Sequence, residues 1–305
     1  MTFQKEYPLL EGRRYTLQKP ITELIRQRYS CRKYQDKPID GGKQLLLSDF
    51  LGLKSAGPLR TRTRFTLVAA TNRDRQSLRG LGTYGVIRGA VGFIVGAVER
   101  AAKDLEDYGY LMEHAVLFAT DLGLGTCWLG GTFSKSGFAK KIALTAEEGM
   151  PAVTVVGYMA GDSRLGGWIR KRAGSDLRFP CESLFFDKKF GEPLTPERAG
   201  LYAEPLEMVR LAPSASNKQP WRIVRVGDAW HFFLQRTKGY GEGSLLFRLL
   251  HLADLQRVDM GIAMRHFELT ARELGLTGGW VIDEPGIKKP DKIIEYTVSW
   301  KRALV

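Results

Sequence analysis

The chain has 305 residues, of which 44% are hydrophobic and 26% are charged. This composition is ordinary for a folded protein and excludes a disordered or collagen-like chain. The three cysteines are far apart and the four histidines lack metal-ligand spacing, so we expect neither disulfides nor a metal site. No apolar run reaches the roughly 18–20 residues of a membrane helix. The chain opens without a signal-peptide pattern, so we expect a cytoplasmic protein.

The chain is strongly basic, with 46 Lys and Arg against 33 Asp and Glu and a net charge of +13. Such an excess favours anionic partners, either nucleic acid or a phosphorylated cofactor. The basic residues are scattered, and no helix-turn-helix or RNA-binding aromatic motif accompanies them. The scatter favours a solubilising surface over a nucleic-acid-binding one.

The sequence contains an internal repeat. Residues 107–128 and 259–280 match at a constant offset of 152 residues, and both have apolar residues at helical spacing followed by glycine, which predicts a long buried helix. A second match relates Phe65 to Trp221. Each half is therefore predicted to contain a helix, a loop, a strand, a polar helix, a strand and a long apolar helix. The predicted halves are residues 1–180 and 190–305.

A duplication of this kind suggests a symmetric dimer whose two protomers have been fused into one chain. Ligand sites of such dimers often lie between the protomers. We therefore expect the ligand site to lie between the two halves.

Arg28, Ser30 and Arg32 follow a helix that begins near Pro20. At alternate positions of an extended segment, their side chains point to the same side. Guanidinium groups bind phosphate through paired hydrogen bonds, so the segment is a candidate phosphate site. The alternative is a solvated basic helix end. Arg170 and Arg172 join this candidate site only if they lie near Arg28 and Arg32.

Residues 212–221 read Ala-Pro-Ser-Ala-Ser-Asn-Lys-Gln-Pro-Trp. Pro213 disfavours the helical conformation at the residue before it, while Ser214 and Asn217 favour turns and offer polar contacts. The pattern predicts a rigid polar loop between a helix and a strand. Ordinary turn chemistry is the alternative.

The first long helix is followed by the glycine-rich run 122–131, which ends in Gly130 and Gly131. Glycines let backbone amides approach a flat ligand closely; the alternative is a helix cap and turn. Residues 80–85 match G-x-G-x-x-G, but a polar stretch precedes them where a dinucleotide-binding loop needs a strand. We therefore predict no dinucleotide loop there.

Together, the Arg-x-Ser-x-Arg segment, the glycine run and the Pro-Ser-x-x-Asn-x-Gln-Pro-Trp loop resemble the nitroreductase family of FMN-dependent oxidoreductases, in the branch with two units fused in one chain. The resemblance implies an α+β fold, internally duplicated as a pseudo-dimer. Each half would hold a mainly antiparallel sheet flanked by helices. It also implies FMN as the cofactor, with NAD(P)H and a small electrophile such as a nitroaromatic or quinone as substrates.

The resemblance also assigns roles to residues. In the first half, the phosphate would be held by Arg28, Ser30, Arg32, Arg170 and Arg172. The amides of Gly130 and Gly131 would face flavin N5, where hydride arrives and leaves. From the second half, the isoalloxazine ring would be contacted by Pro213, Ser214 and Asn217. Ala215 replaces a second serine that the family often has.

A second flavin site would need the same motifs with the halves exchanged, and they are degraded. The positions equivalent to 28–32 fall at about 183–188 and read Ser-Leu-Phe-Phe-Asp-Lys, and Thr61 stands at the position equivalent to Asn217. We expect one flavin per chain. Two alternatives stay open: a flavin-binding sensor or carrier without turnover, and a nucleic-acid-binding protein with a vestigial flavin site.

Overall fold

The computed structural model describes residues 5–8, 14–53, 55–71, 75–131, 133–161, 177–238 and 253–302. The chain divides into two compact units, Met1–Ile169 and Arg170–Val305. A short antiparallel ribbon near the amino terminus is formed by β1 (Lys5–Pro8) and β2 (Arg14–Leu17). Each unit contains its own sheet with flanking helices, so the predicted α+β class is confirmed.

The first unit has, among its described residues, four helices and a six-stranded sheet. The helices are α1 (Ile21–Gln27), α2 (Gly41–Gly52), α3 (Asp104–Asp121) and α4 (Lys135–Lys141). The strands are β3 (Ser55–Ala56), β4 (Arg62–Ala69), β5 (Gly92–Glu99), β6 (Gly125–Leu129), β7 (Glu148–Gly149) and β8 (Val153–Gly157). Their order is β3-β4-β5-β8-β6, with β7 beside β5, and all pairs are antiparallel.

The second unit has, in its described part, three helices and a five-stranded sheet. The helices are α5 (Pro196–Ala199), α6 (Ala203–Leu211) and α7 (Leu255–Glu273). The strands are β9 (Phe185–Asp187), β10 (Trp221–Val226), β11 (Ala229–Gln235), β12 (Gly278–Val281) and β13 (Ile294–Arg302). Their order is β9-β10-β11-β13-β12, and only the β9–β10 pair is parallel.

The two sheets share one topology. The order β4-β5-β8-β6 in the first unit corresponds to β10-β11-β13-β12 in the second, and the long helices α3 and α7 precede corresponding strands. Glycines with positive φ, Gly123 (73°) and Gly275 (76°), follow the two helices; this is the left-handed conformation common at helix ends. Matching topology at the 152-residue offset supports the internal duplication.

In both units, an aspartate near the start of the long helix holds the preceding loop. Asp107 accepts hydrogen bonds from the backbone N–H groups of Leu59 (3.0 Å) and Thr61 (2.8 Å). Asp259 accepts one from the N–H of Ala215 (3.0 and 3.1 Å to its two oxygens). Leu59 and Ala215 are equivalent positions of the repeat, so the same contact fixes the same loop twice.

The core of the second unit is built on aromatic rings. Phe267 of α7 packs against Trp230, Phe232, Trp280 and Trp300, with ring centroids 5.3–6.1 Å apart. Aromatic side chains bury large areas and favour edge-to-face or tilted contacts at such separations. The apolar face that the repeat predicted for this helix is therefore its buried face.

The predicted polar helix between the two central strands is wrong in both units. In the first unit, the described chain after β4 forms only a 3₁₀ turn, Gln76–Leu78. In the second, β10 and β11 are joined directly by Gly227 and Asp228, with Gly227 at φ 58°. A two-residue hairpin needs positive φ at its centre, which glycine adopts without strain.

Candidate functional site

The Arg-x-Ser-x-Arg segment leaves α1 and runs beside β6. The N–H of Arg28 donates to the carbonyl of Leu24 (2.9 Å) and closes the helix. Ser30 pairs in parallel with Thr126, and the N–H of Cys31 donates to the Thr126 carbonyl (2.8 Å). The predicted helix and the extended segment after it are both present.

The Arg28 side chain points into the first unit. It is only 6% exposed, and its Nε lies 3.9 Å from Oε1 of Glu113, which is fully buried on α3. The other carboxylate oxygen of Glu113 accepts a hydrogen bond from Nε1 of Trp128 on β6 (2.8 Å). Glu113 is therefore the shared partner of the Arg28 guanidinium and the Trp128 indole N–H.

Arg32, in contrast, is exposed. Both arginines act electrostatically on Cys127, the thiol on β6. Burial raises the pKa of Cys127 to about 11, while the positive charges of Arg32 and Arg28 act in the opposite direction. The thiol is therefore protonated near neutral pH. It behaves as a small buried side chain, not as a nucleophile.

A cleft of about 260 Å³ opens beside Arg28. It lies between the end of α1, the turn after α3 and the start of β6. A Cβ at Gly125 would stand 2.5 Å from Cγ of Met159 and 3.2 Å from Cβ of Cys31. Gly125 therefore lets the side chains of Met159 and Cys31 pack directly against the backbone of β6.

The cleft also contains an acidic group. Oδ2 of Asp121 accepts a hydrogen bond from the N–H of Gln18 (2.8 Å), and Oδ1 lies buried without a hydrogen-bond partner. Burial raises the pKa of Asp121, which favours its neutral form. Arg28 and Lys19 also line the cleft, so basic and acidic residues are both present in its lining.

Gly130 and Gly131 follow β6 directly. Gly130 is half-buried and Gly131 is exposed, so a ligand can reach this backbone. The strand thus joins the two parts of the predicted site within the first unit. One part is the segment paired with Thr126, and the other is the glycine pair at the strand's end.

The Pro-Ser-x-x-Asn loop of the second unit is tightly bonded. Ser216, Asn217 and Gln219 have positive φ values of 51°, 54° and 47°, a conformation that costs energy for residues other than glycine. The hydroxyl of Ser214 accepts a hydrogen bond from the N–H of Gln219 (2.9 Å). The predicted rigid polar loop after a helix is confirmed, and Pro213 stands at its start.

The side chain of Asn217 already has partners within the second unit. Its Nδ2 donates to the carbonyl of Leu177 (2.8 Å), and its Oδ1 accepts from a guanidinium N–H of Arg178 (2.9 Å). Gln219 accepts from the N–H of Phe179 (2.8 Å). The loop is therefore hydrogen-bonded to residues 177–179.

Sequence reasoning missed two charged residues that contact predicted site residues, Glu113 and Arg178. A signal existed for Glu113, because a carboxylate inside an otherwise apolar helix requires a partner. No local pattern marked Arg178. Arg170 and Arg172 lie outside the described residues, so their predicted approach to Arg28 and Arg32 stays a prediction.

Two residues of the stretch equivalent to 28–32 belong to the core of the second unit. Leu184 and Phe185 are 0% and 2% exposed. Thr61, at the position equivalent to Asn217, is buried against Asp107. Where a second site would need polar side chains, the chain has packed ones.

A family model described as "Putative TM nitroreductase" matches residues 20–271. Among solved structures, a "putative nitroreductase" from Thermotoga maritima is 22% identical, covers 96% of this chain and 99% of its own, and has a TM-score of 0.57. A nitroreductase with bound FMN from Bacteroides fragilis is 20% identical over 47% of this chain and 89% of its own, with a TM-score of 0.36. None of the curated proteins matches this chain.

In the part of the chain that the structure describes, no helix has both the length and the apolar character needed to cross a membrane. No three His, Cys, Asp or Glu side chains in that part are grouped so that they could bind a metal ion.

Proposed function

The chain belongs to the nitroreductase family, and from this we propose that it is an FMN-dependent oxidoreductase. It would pass hydride from NADH or NADPH through the flavin to a small electrophile such as a nitroaromatic or a quinone. The observation that carries the proposal is the pairing of Ser30 with Thr126. This pairing puts the basic segment beside the strand that leads into Gly130 and Gly131.

We assign the phosphate of FMN to Arg28, Ser30 and Arg32. A phosphate monoester carries nearly two negative charges and needs charge-assisted hydrogen bonds when it leaves water. The cleft supports this assignment, because Arg28 lines it together with Gly125 and Thr126 of β6. Arg170 and Arg172 are assigned to the same phosphate on the family resemblance alone.

We assign the isoalloxazine ring to both units. The amides of Gly130 and Gly131 would face N5, and Pro213, Ser214 and Asn217 would contact the ring from the second unit. The bonds of Asn217 to Leu177 and Arg178 fix its amide in one orientation, so little conformational freedom is lost on binding. FMN, when bound, supplies the hydride chemistry, and the residues of the chain bind and orient it.

The test begins with the spectrum of the purified full-length chain after saturation with FMN and removal of the excess. We expect the absorbance bands of oxidised flavin and one FMN per chain. Addition of NADH or NADPH without oxygen should bleach the bands, and menadione, a quinone, should restore them. A chain that binds no flavin would contradict the proposal.

Two other outcomes point to the alternatives. Bound FMN that neither nucleotide can reduce would identify a sensor or carrier. Salt-dependent retention on DNA, in a chain that binds no flavin, would favour the nucleic-acid-binding alternative. Two flavins per chain would show that the degraded motifs of the second site also bind.

A further inference from the structure

Glu113 is a fully buried carboxylate in the middle of α3. Its neighbours Met112, His114, Ala115 and Val116 are buried as well. A carboxylate in such surroundings is costly unless charged or polar partners compensate it. Two partners are close: Nε1 of Trp128 at 2.8 Å and Nε of Arg28 at 3.9 Å.

The second unit shows that the tryptophan alone does not require a glutamate at this position. Trp280, the equivalent of Trp128, donates its Nε1–H to Oε2 of Glu268 (2.6 Å). At the repeat offset, Glu268 corresponds to Val116, and the residue equivalent to Glu113 is Arg265. The glutamate at position 113 is therefore explained by the nearby Arg28 and not by the tryptophan alone.

The contact between Arg28 and Glu113 acts through charge. A distance of 3.9 Å from Nε to Oε1 is too long for a hydrogen bond but lies within the range of an ion pair. Both side chains are shielded from water, so their attraction is screened less than at the surface. The Glu113 carboxylate therefore balances the charge of the Arg28 guanidinium without a hydrogen bond to its Nε.

We propose that Glu113 is the resident counter-ion of Arg28 and sets how strongly the site prefers FMN to riboflavin, which lacks the phosphate. The inference rests on the proposed function, in which Arg28 holds that phosphate. In the empty site, Glu113 compensates Arg28. In the loaded site, the phosphate and the carboxylate share one guanidinium and repel each other. The charge of Glu113 thus weakens phosphate binding and leaves riboflavin binding unaffected.

The test compares Glu113→Gln with Glu268→Gln. Each variant keeps an oxygen that can accept the tryptophan N–H, and each removes one buried negative charge. Dissociation constants of FMN and riboflavin are measured by flavin fluorescence with the full-length apoprotein. We expect Glu113→Gln to raise the ratio of FMN to riboflavin affinity about tenfold, the size of a screened interaction between charges several ångströms apart. Glu268→Gln should leave the ratio unchanged.

A second measurement remains useful if Glu113→Gln folds poorly. Removing the carboxylate charge takes away a compensating charge from the buried Arg28, so the apoprotein should unfold at a lower temperature. Saturating FMN should then raise the unfolding temperature of Glu113→Gln more than that of the wild type, because the phosphate replaces the missing charge. Riboflavin should give the two proteins equal shifts.

The outcomes separate this inference from the proposed function. If Arg28→Gln leaves the affinity ratio unchanged, the phosphate assignment itself fails. If Arg28→Gln lowers the ratio while Glu113→Gln leaves it unchanged or lowers it, only the counter-ion role fails. If FMN raises the unfolding temperature of Glu113→Gln no more than that of the wild type, the role fails as well.

Discussion

The two units have the same strand order but different charges around their long helices. On α3, Glu113 lies beside Arg28. On α7, the equivalent residue is Arg265, and Glu268 pairs instead with Arg272 at 2.7 Å. The sheet, the helix and the tryptophan N–H bond occur in both units. The packing of a duplicated scaffold can therefore persist while the charged residues that line it change.

The same difference extends to the extended segment that follows α1. In the first unit this segment contains Arg28 and Arg32, whereas Leu184 and Phe185 in the equivalent stretch of the second unit are core. Buried leucine and phenylalanine stabilise a fold through apolar area, whereas a buried arginine such as Arg28 needs a compensating charge. The first unit therefore has charged residues where the second has packed apolar ones.

The largest expected effect tests this asymmetry directly. The double variant Arg28→Ala, Arg32→Ala removes two charge-assisted contacts to phosphate, each worth about 1.5–3 kcal/mol. We expect FMN affinity to fall by about 10²–10⁴-fold, measured by flavin fluorescence. The control is Lys188→Ala, Lys189→Ala, which removes two cations near the equivalent segment of the second unit. It should change the affinity less than about threefold; an equal loss in both variants would contradict the asymmetry.

Much of this architecture could be predicted from the sequence, because it depends on local patterns. The long helices follow from apolar residues at helical spacing and from Gly123 and Gly275 at their ends. The loop around Asn217 follows from proline and turn-forming residues. The repeat follows from matches at a fixed offset. The helix and loop signals are local in the chain, and the repeat is visible as two copies of such a local pattern.

The remaining features depend on contacts between distant residues. Ser30 and Thr126 are 96 positions apart, and the bridge between them aligns residues 28–32 with β6. The ion pair of Arg28 with Glu113 likewise joins two elements that no sequence period relates. The final strand β13 completes the second sheet only because β11 and β12 are there to pair with it.

Gly57 lies directly against the carboxylate of Asp107, which holds the loop through Leu59 and Thr61. A Cβ at Gly57 would stand 2.0 Å from Cγ of Asp107, so Gly57→Ala must displace the carboxylate from its backbone partners. We expect a loss of about 2–4 kcal/mol in the free energy of unfolding, measured in urea. Gly52→Ala is the control, because nothing lies within 4 Å of its added Cβ.

Pro213, at the repeat position of Gly57, already carries a Cβ, and Asp259 there holds a single N–H group. The close approach at Gly57 is therefore a property of the first unit, which has two donors on its aspartate. A Gly57→Ala protein as stable as Gly52→Ala would show that the loop can move aside without loss.

The smallest expected effect is a pH dependence from the same carboxylate. Burial raises the pKa of Asp107 to about 6, against the opposing effect of the N–H groups of Leu59 and Thr61. A group whose pKa is higher in the folded than in the unfolded state binds more protons when folded, so its contribution is lost as pH rises. The wild type should lose about 1–3 kcal/mol of stability from this group between about pH 4 and pH 6.

Asp107→Asn isolates this contribution, since asparagine resembles the protonated aspartate and does not titrate. Urea unfolding at a series of pH values should show the variant gaining on the wild type as pH rises from about 4 to 6. The control Asp228→Asn changes an exposed aspartate in the turn between β10 and β11 and should keep a constant difference from the wild type. A constant difference for Asp107→Asn as well would mean that Asp107 titrates as in the unfolded chain. In that case its two N–H bonds would offset the whole cost of its burial.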